Sequence, residues 1–415
     1  MYIKSADTNL DEIIARQGSS CSLEGALYND PEIFQLDLDY VIAKQWQLVD
    51  HASRIPNRGD FFLFEVGNES IIIVRGSEDL IHAHYNVCCH RGSRLCLENE
   101  GRTNLIVCPY HAWSYRQDGT LANAPHMPED FEASEVSLKS CHLKVCEGLI
   151  FICLADEPPD FAANIEGIDS FFQLHGTATC KIAHRHTFKT LANWKLAVEN
   201  FIECYHCLAA HPEFCTLHSN DMILNAGAGP ASTSADAVVL SDEMKEFEAR
   251  AAALGQLPKE VNDSATPNWY RFAARSPMIE GAMTESEDGK PMAPLLKGLK
   301  DWDNGYTGMA INPISHILAT NDVCILFKFT PTTVETCDAE VIWLVNADAE
   351  EGKDYDVDRV KWTWETTGFQ DLTITENNQK GVNSRAYVPH RHSLLEANVT
   401  AFCQWYLANL KKALA

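Results

Sequence analysis

"VCCHRGSRLC" (residues 87–96) and "IVCPYHAWSY" (106–115) are the two stretches on which the reading of this chain turns. The first holds Cys88-x-His90 and the second Cys108-x-x-His111, with seventeen residues between His90 and Cys108. Thiolate and imidazole are metal donors, and two of each make a full set of four. Each pair lies beside short β-branched runs, which predicts that both sit at hairpin tips. Cys89 adds one more donor than four-coordination needs.

A two-iron, two-sulfide cluster requires four protein donors. In its Rieske form two thiolates hold one iron and two imidazoles the other, which raises the reduction potential. Zinc is the competing occupant of two cysteines and two histidines. Zinc spacings ordinarily join Cys with Cys and His with His. Here each half supplies one of each, which favours the cluster.

Outward from these loops, "DFFLFEV" (60–66), "SIIIVRG" (70–76), "IHAHYNV" (81–87), "TNLIVCPY" (103–110) and "KVCEGLIFICL" (144–154) are strand-sized runs. They describe an all-β stretch of roughly 110 residues, closed by the Pro- and acid-rich "ADEPPDF" (155–161). Before it, Leu38, Val41, Ile42 and Trp46 carry the spacing of a short amphipathic helix across 36–49. After it, "FKTLANWKLAVENFIECYHCLAAH" (188–211) reads as a strand and then a helix. "NAGAGPASTSAD" (225–236) reads as a flexible loop and 242–255 as an exposed helix. Strands return between 308 and 347, and 392–414 has the rhythm of a C-terminal helix. The parts before and after the β-stretch are expected to belong together.

A formal charge of −25 argues against a nucleic-acid partner, because phosphate binding needs clustered Lys and Arg. A cation, or a zwitterion with an exposed cationic end, is easier to attract. The longest apolar runs fall well short of the ~18 residues of a membrane helix, and "MYIKSADTNLDEII" has no secretory pattern. A cytoplasmic protein with no membrane association is expected, and most of its fifteen cysteines should be reduced, buried thiols.

A cluster only carries electrons, so a place to use them is needed. His206 and His211 stand five residues apart, about 140° around an ideal helix. They can share a metal only if the helix is distorted or ends between them, and Pro212 supplies a reason by disfavouring the α region at His211. Two histidines and a carboxylate form the ligand set of non-haem Fe(II) oxygenases. Asn200, Glu203 and His206, three apart, would line nearly one side of the helix.

Both motifs resemble those of the Rieske-type non-haem iron oxygenases, and the similarity extends over approximately 35–215 and 280–410. The resemblance implies an α+β fold in which an all-β Rieske [2Fe-2S] domain (46–158) is inserted in an α+β catalytic domain (165–415). That domain would have a central antiparallel sheet of the helix-grip, START-like kind, with residues 1–45 packing on it. Cys88, His90, Cys108 and His111 would hold the cluster, and Cys89 would be a bystander. Tyr110 leaves the second loop without the extra cysteine of cytochrome-complex Rieske proteins. His206 and His211 match the iron histidines, and Asp371 the Asp ligand that opens a late helix, with Asp322 and Glu376 as alternatives. The resemblance further implies a homotrimer in which electrons pass from the cluster through His111 to Glu203 of the next chain, then to His206 and the iron. Asn200 would lie near the open iron positions. No GxGxxG fingerprint is visible, so NAD(P)H and flavin would act through a separate reductase.

"ENFIECYHCLAAHPEF", "TESEDGKPMAPLL" and "ENNQKGVNSRAY" are most similar to the branch acting on quaternary ammonium compounds such as glycine betaine, choline, carnitine and proline betaine. That implies O2-dependent hydroxylation of an N-methyl carbon and N-demethylation with release of formaldehyde. Trp269, Tyr270, Phe272 and Tyr306 are candidate aromatic faces for the cation. The rival readings are the α subunit of an aromatic-ring hydroxylating dioxygenase, an electron carrier with a silent second domain, and a zinc-binding module.

Overall fold

The β-branched runs become strands, and their pairing divides the chain in two. A computed structural model describes residues 10–218, 242–262 and 270–414. One unit comprises residues 44–161; the other joins residues 1–43 to 162–415.

In the first unit, β1 (Gln47–His51) pairs with β10 (Leu149–Cys153), and β10 with β9 (His142–Cys146). β2 (Asp60–Val66), β3 (Glu69–Arg75), β4 (Ile81–Tyr85) and β5 (Glu100–Arg102) form a second sheet in the order β4-β3-β2-β5. β6 (Ile106–Val107), β7 (Ser114–Tyr115) and β8 (Leu121–Asn123) form a third. The helix expected across 36–49 stops at Ile42, and Gln47–His51 becomes a fully buried strand on β10. Burial on both faces overrides the helical spacing there. The second ligand loop is a hairpin tip, since β6 and β7 pair antiparallel. The first is not: it joins β4 to β5, which lie at opposite edges of their sheet. The run 103–110 is a strand only at Ile106–Val107. Cys88 and Cys108 are buried in a core with Ile72, Ile106, Trp113 and Tyr115, which anchors both loops.

The second unit is built on a seven-stranded antiparallel sheet in the order β11-β17-β16-β15-β14-β13-β12. Its strands are β11 (Cys180–Thr190), β12 (Val261–Asn262), β13 (Phe272–Pro277), β14 (Gly305–Asn312), β15 (Ser315–Ala319), β16 (Val323–Thr333) and β17 (Thr336–Asn346). The α+β class and the large antiparallel sheet agree with expectation. Asn193 caps the helix Trp194–Phe201 by accepting from the Lys195 N–H at 3.0 Å. Asp356 caps the long helix Val357–Val382 by accepting from Asp358 and Arg359. The long helix passes so close to β11 that a Cβ on Gly368 would come within 2.4 Å of Phe188 Cζ, so any larger residue there would displace the Phe188 ring. The expected loop at 225–236 lies outside the described residues. Among the described residues no helix is long and apolar enough to cross a membrane.

A buried ion pair ties this unit together. Asp37 accepts from Tyr406 Oη at 2.7 Å and Trp194 Nε1 at 3.2 Å, and pairs with Lys195. Both charges have no solvent exposure. Asp37→Ala would strand the ammonium, and breaking such a pair costs about 3–5 kcal/mol. Urea unfolding should show that loss; a change under about 1 kcal/mol would mean that Lys195 finds other solvation.

Candidate metal centres

The two loops of the first unit close alike. The Gly92 N–H donates to Cys88 O at 3.0 Å and the Ala112 N–H to Cys108 O at 3.1 Å. Both closing residues take positive φ, +76° at Gly92 and +59° at Ala112. This repeated turn sets two thiols inward and two imidazoles outward. Cys88 and Cys108 are buried, His90 and His111 exposed, and the two imidazole centroids lie 4.7 Å apart. His90 stacks on Trp113 at 4.8 Å. Burial acts to raise the Cys108 thiol, but the Tyr110 and His111 N–H groups, together with hydrogen bonds from Cys88 and Ser93, hold it below its ordinary value. The Tyr115 hydroxyl lies 3.2 Å from Cys88 Sγ. Hydrogen bonds to sulfur are a lever on cluster potential. Cys89 Sγ turns away and donates to Ser137 O at 3.1 Å. The arrangement, two buried sulfurs and two surface imidazoles, fits a Rieske cluster.

In the second unit the helix Trp194–Phe201 ends before either histidine. A break comes at 202–206, and the next helix ends at Ala210, which leaves His211 outside the α region as Pro212 suggests. The Glu203 carboxylate accepts from the Tyr205 and His206 N–H groups, which lie in the turn before the short helix Cys207–Ala210. His206 and His211 flank that short helix, with His211 at φ −126°, ψ 67°. Cys204 and Cys207 have Cα atoms 4.9 Å apart and are disulfide-bonded, while the other thirteen cysteines are free, in line with the expectation for most of them.

The donors then converge. His211 Nε2 is 2.9 Å from Asp371 Oδ1, His206 Nε2 is 3.4 Å from the same oxygen, and the two nitrogens are 3.1 Å apart. Cis donors in octahedral coordination with ~2.1 Å bonds stand about 3.0 Å apart. The outer partners fix both tautomers. His206 Nδ1–H donates to Glu203 Oε1 at 2.6 Å, and His211 Nδ1–H donates to Gln370 Oε1 at 2.7 Å. Gln370 is oriented in turn by its own 2.9 Å bond to Glu213 Oε2. Both Nε2 lone pairs therefore meet a carboxylate oxygen with no hydrogen between them, an arrangement that calls for a cation. A proton is the substitute when none is bound. Burial alone would lower His206, but its bonds to Asp371 and Glu203 raise it to about 9. Asp371 shows the reverse: burial acts to raise it, and the two histidines pull it below the usual carboxylate range. These residues fit a mononuclear iron of the two-histidine, one-carboxylate kind.

Several expectations are corrected. Asp371 does not open a helix; it lies in the interior of Val357–Val382. Asp322 is buried elsewhere, accepting from Thr284, Thr320, Met292 and Ala293. Glu376 accepts from the Leu191 N–H at 3.1 Å. Asn200 Nδ2 is 3.4 Å from His206 Nε2, although Glu203 and His206 are not on its helix. Gln370 and Glu213 were not anticipated; the one signal for Gln370 is its place beside Asp371.

A cavity adjoins Asp371, walled by Phe188, Phe201, Phe327, Phe329 and Trp364, with Asn200 also lining it. Its floor is a row across three strands, Phe188 paired with Ala339 and Ala339 with Phe329. Tyr270, Phe272 and Tyr306 are not among its lining residues. Tyr270 packs against Phe402 and Trp405, and Tyr306 against His218. Trp269 lies outside the described residues.

Thiols and imidazoles for a cluster in one unit, and a facial triad in the other, define a Rieske-type non-haem iron oxygenase. Residues 45–144 match the Rieske [2Fe-2S] domain, and residues 177–412 match the catalytic domain of the ring-hydroxylating α subunit. The glycine betaine monooxygenase oxygenase subunit of Pseudomonas aeruginosa is 34% identical over 402 residues, covering 95% of this chain and 90% of the relative. The carnitine monooxygenase oxygenase subunit of Escherichia coli K12 is 33% identical over 244 residues, 54% of this chain and 64% of the relative. The quaternary ammonium Rieske monooxygenase CntA, solved with L-carnitine, shares the fold at a TM-score of 0.70 and 21% identity, covering 98% of this chain and 99% of that one. The chain belongs to the Rieske ring-hydroxylating oxygenase α-subunit family and is an oxygenase component related to the quaternary ammonium monooxygenases.

Proposed function

We propose that this oxygenase removes a methyl group from a quaternary ammonium compound of the betaine class. The observation that carries the reading is the aromatic-walled cavity beside Asp371. A desolvated ammonium over an aromatic face gains about 2 kcal/mol, and among the described lining residues there is no lysine or arginine to repel it. The relatives named for glycine betaine and carnitine, and the charge of −25, support the same class.

When bound, the cluster supplies electrons and the mononuclear iron activates O2. Phe188, Phe201, Phe327, Phe329 and Trp364 hold the trimethylammonium head and exclude water. His206, His211 and Asp371 provide the iron's donors, with Glu203 and Gln370 fixing the two imidazoles. The overall change consumes O2, two electrons and two protons, placing one oxygen atom in a C–H bond of an N-methyl group and the other in water. The resulting N–CH2OH cation breaks at its C–N bond to formaldehyde, a tertiary amine and a proton.

The electrons come from NAD(P)H through a separate flavin reductase. In a homotrimer, Glu203 would link His206 to the exposed His111 of the neighbouring copy. Glu203→Gln keeps the shape and removes the charge. It should leave the cluster spectrum and iron content intact while turnover falls ~10–100-fold, the usual cost of losing an outer-shell partner. Unchanged turnover would refute that role.

A turnover screen tests the substrate. With reductase and NADH, a betaine, choline, carnitine or proline betaine should yield formaldehyde. The apolar walls would also suit an arene, so dihydroxylated ring product with every ammonium compound inert would assign the chain to ring dioxygenation instead.

A further inference from the structure

A second convergence of metal donors lies on the same sheet, apart from the triad. His184 and His186 are two apart on the edge strand β11, so both rings stand on one face. Glu365 meets them from the long helix, with His186 Nδ1 to Glu365 Oε1 at 3.3 Å. One donor atom from each of the three lies within 4.8 Å of the others. We infer that His184, His186 and Glu365 form a further site for a divalent transition-metal ion of the zinc type.

The donor set suits zinc, which takes two imidazoles and a carboxylate and leaves a fourth position to water. Tetrahedral donors at ~2.05 Å stand about 3.3 Å apart, so the His186–Glu365 pair is already spaced for it. His184 closes the remainder by a small side-chain movement. Aromatic neighbours fix both rings: His184 lies 5.4 Å from Trp343, and His186 lies 4.3 Å from Phe188 and 5.5 Å from Phe369. The site opens to solvent, His186 being 30% and Glu365 24% exposed. Lys361 is the competing cation. It lies 3.4 Å from Glu365 Oε2 and 3.0 Å from Asp358 Oδ1, which leaves Glu365 Oε1 to His186. A bound ion would clamp β11 to the helix that carries Asp371 six residues beyond Glu365. This inference does not depend on the substrate.

The test is equilibrium dialysis of the iron-loaded holoenzyme against Zn2+, with iron, zinc and acid-labile sulfide measured together. One zinc per chain should bind with no loss of iron, and zinc should raise the melting temperature. His184→Ala, His186→Ala and Glu365→Gln should each weaken zinc binding at least ~10-fold and abolish the thermal shift. Lys361→Met should tighten zinc binding, a gain that a misfolded variant cannot give. No zinc bound, equal zinc in wild type and variants, or zinc gained only as iron is lost would each overturn the assignment.

Discussion

His206→Ala should yield protein with the cluster's colour and no turnover. Wild-type protein should carry about three irons per two sulfides, two in the cluster and one in the triad. The variant should fall to about two per two. The reason lies in the geometry: His206 Nε2 and His211 Nε2, 3.1 Å apart, share Asp371 Oδ1. With one imidazole gone, two donors remain for an ion that needs three protein ligands. The loss should exceed the ~100-fold typical of an outer-shell change. Iron analysis and O2 uptake on one sample read both effects. Three irons and undiminished turnover in the variant would remove His206 from the ligand set.

The second large effect separates the adjacent cysteines. Cys88→Ser should abolish the cluster's visible absorption, because Cys88 is one of two buried thiols between the loops. Cys89→Ser should leave it intact, because Cys89 Sγ faces Ser137 O at 3.1 Å. Absorption and electron paramagnetic resonance of the reduced proteins decide the matter. The opposite pair of results would exchange the two assignments.

Much of this was legible because metal sites write their donors into sequence at short range. Cys88-x-His90 and Cys108-x-x-His111 each fit one turn of chain, so the type of centre follows from spacing. His206 and His211 demanded a helix end between them, and the structure has one at Ala210, where Pro212 pointed, with a further break at 202–206. In the turn at 202–206 the Glu203 carboxylate accepts from the Tyr205 and His206 N–H groups, a side-chain event that periodicity does not register. Asp371 was found by resemblance to a segment that opens a helix. Here the helix starts fourteen residues earlier, after the Asp356 cap. The cavity was missed for a topological reason. Phe188, Phe327 and Trp364 lie far apart in sequence, on β11, β16 and the long helix, and meet only in the folded unit. Of the aromatics proposed from 269–306, those described line no part of the cavity.

The most direct measurement of the central claim is the stoichiometry of a single reconstituted reaction with its best ammonium substrate. NADH oxidised, O2 consumed and formaldehyde formed should stand at about one to one to one, as two-electron monooxygenation requires, with the amine recovered one methyl group shorter. NADH and O2 consumed without formaldehyde, while the cluster is being reduced normally, would contradict it.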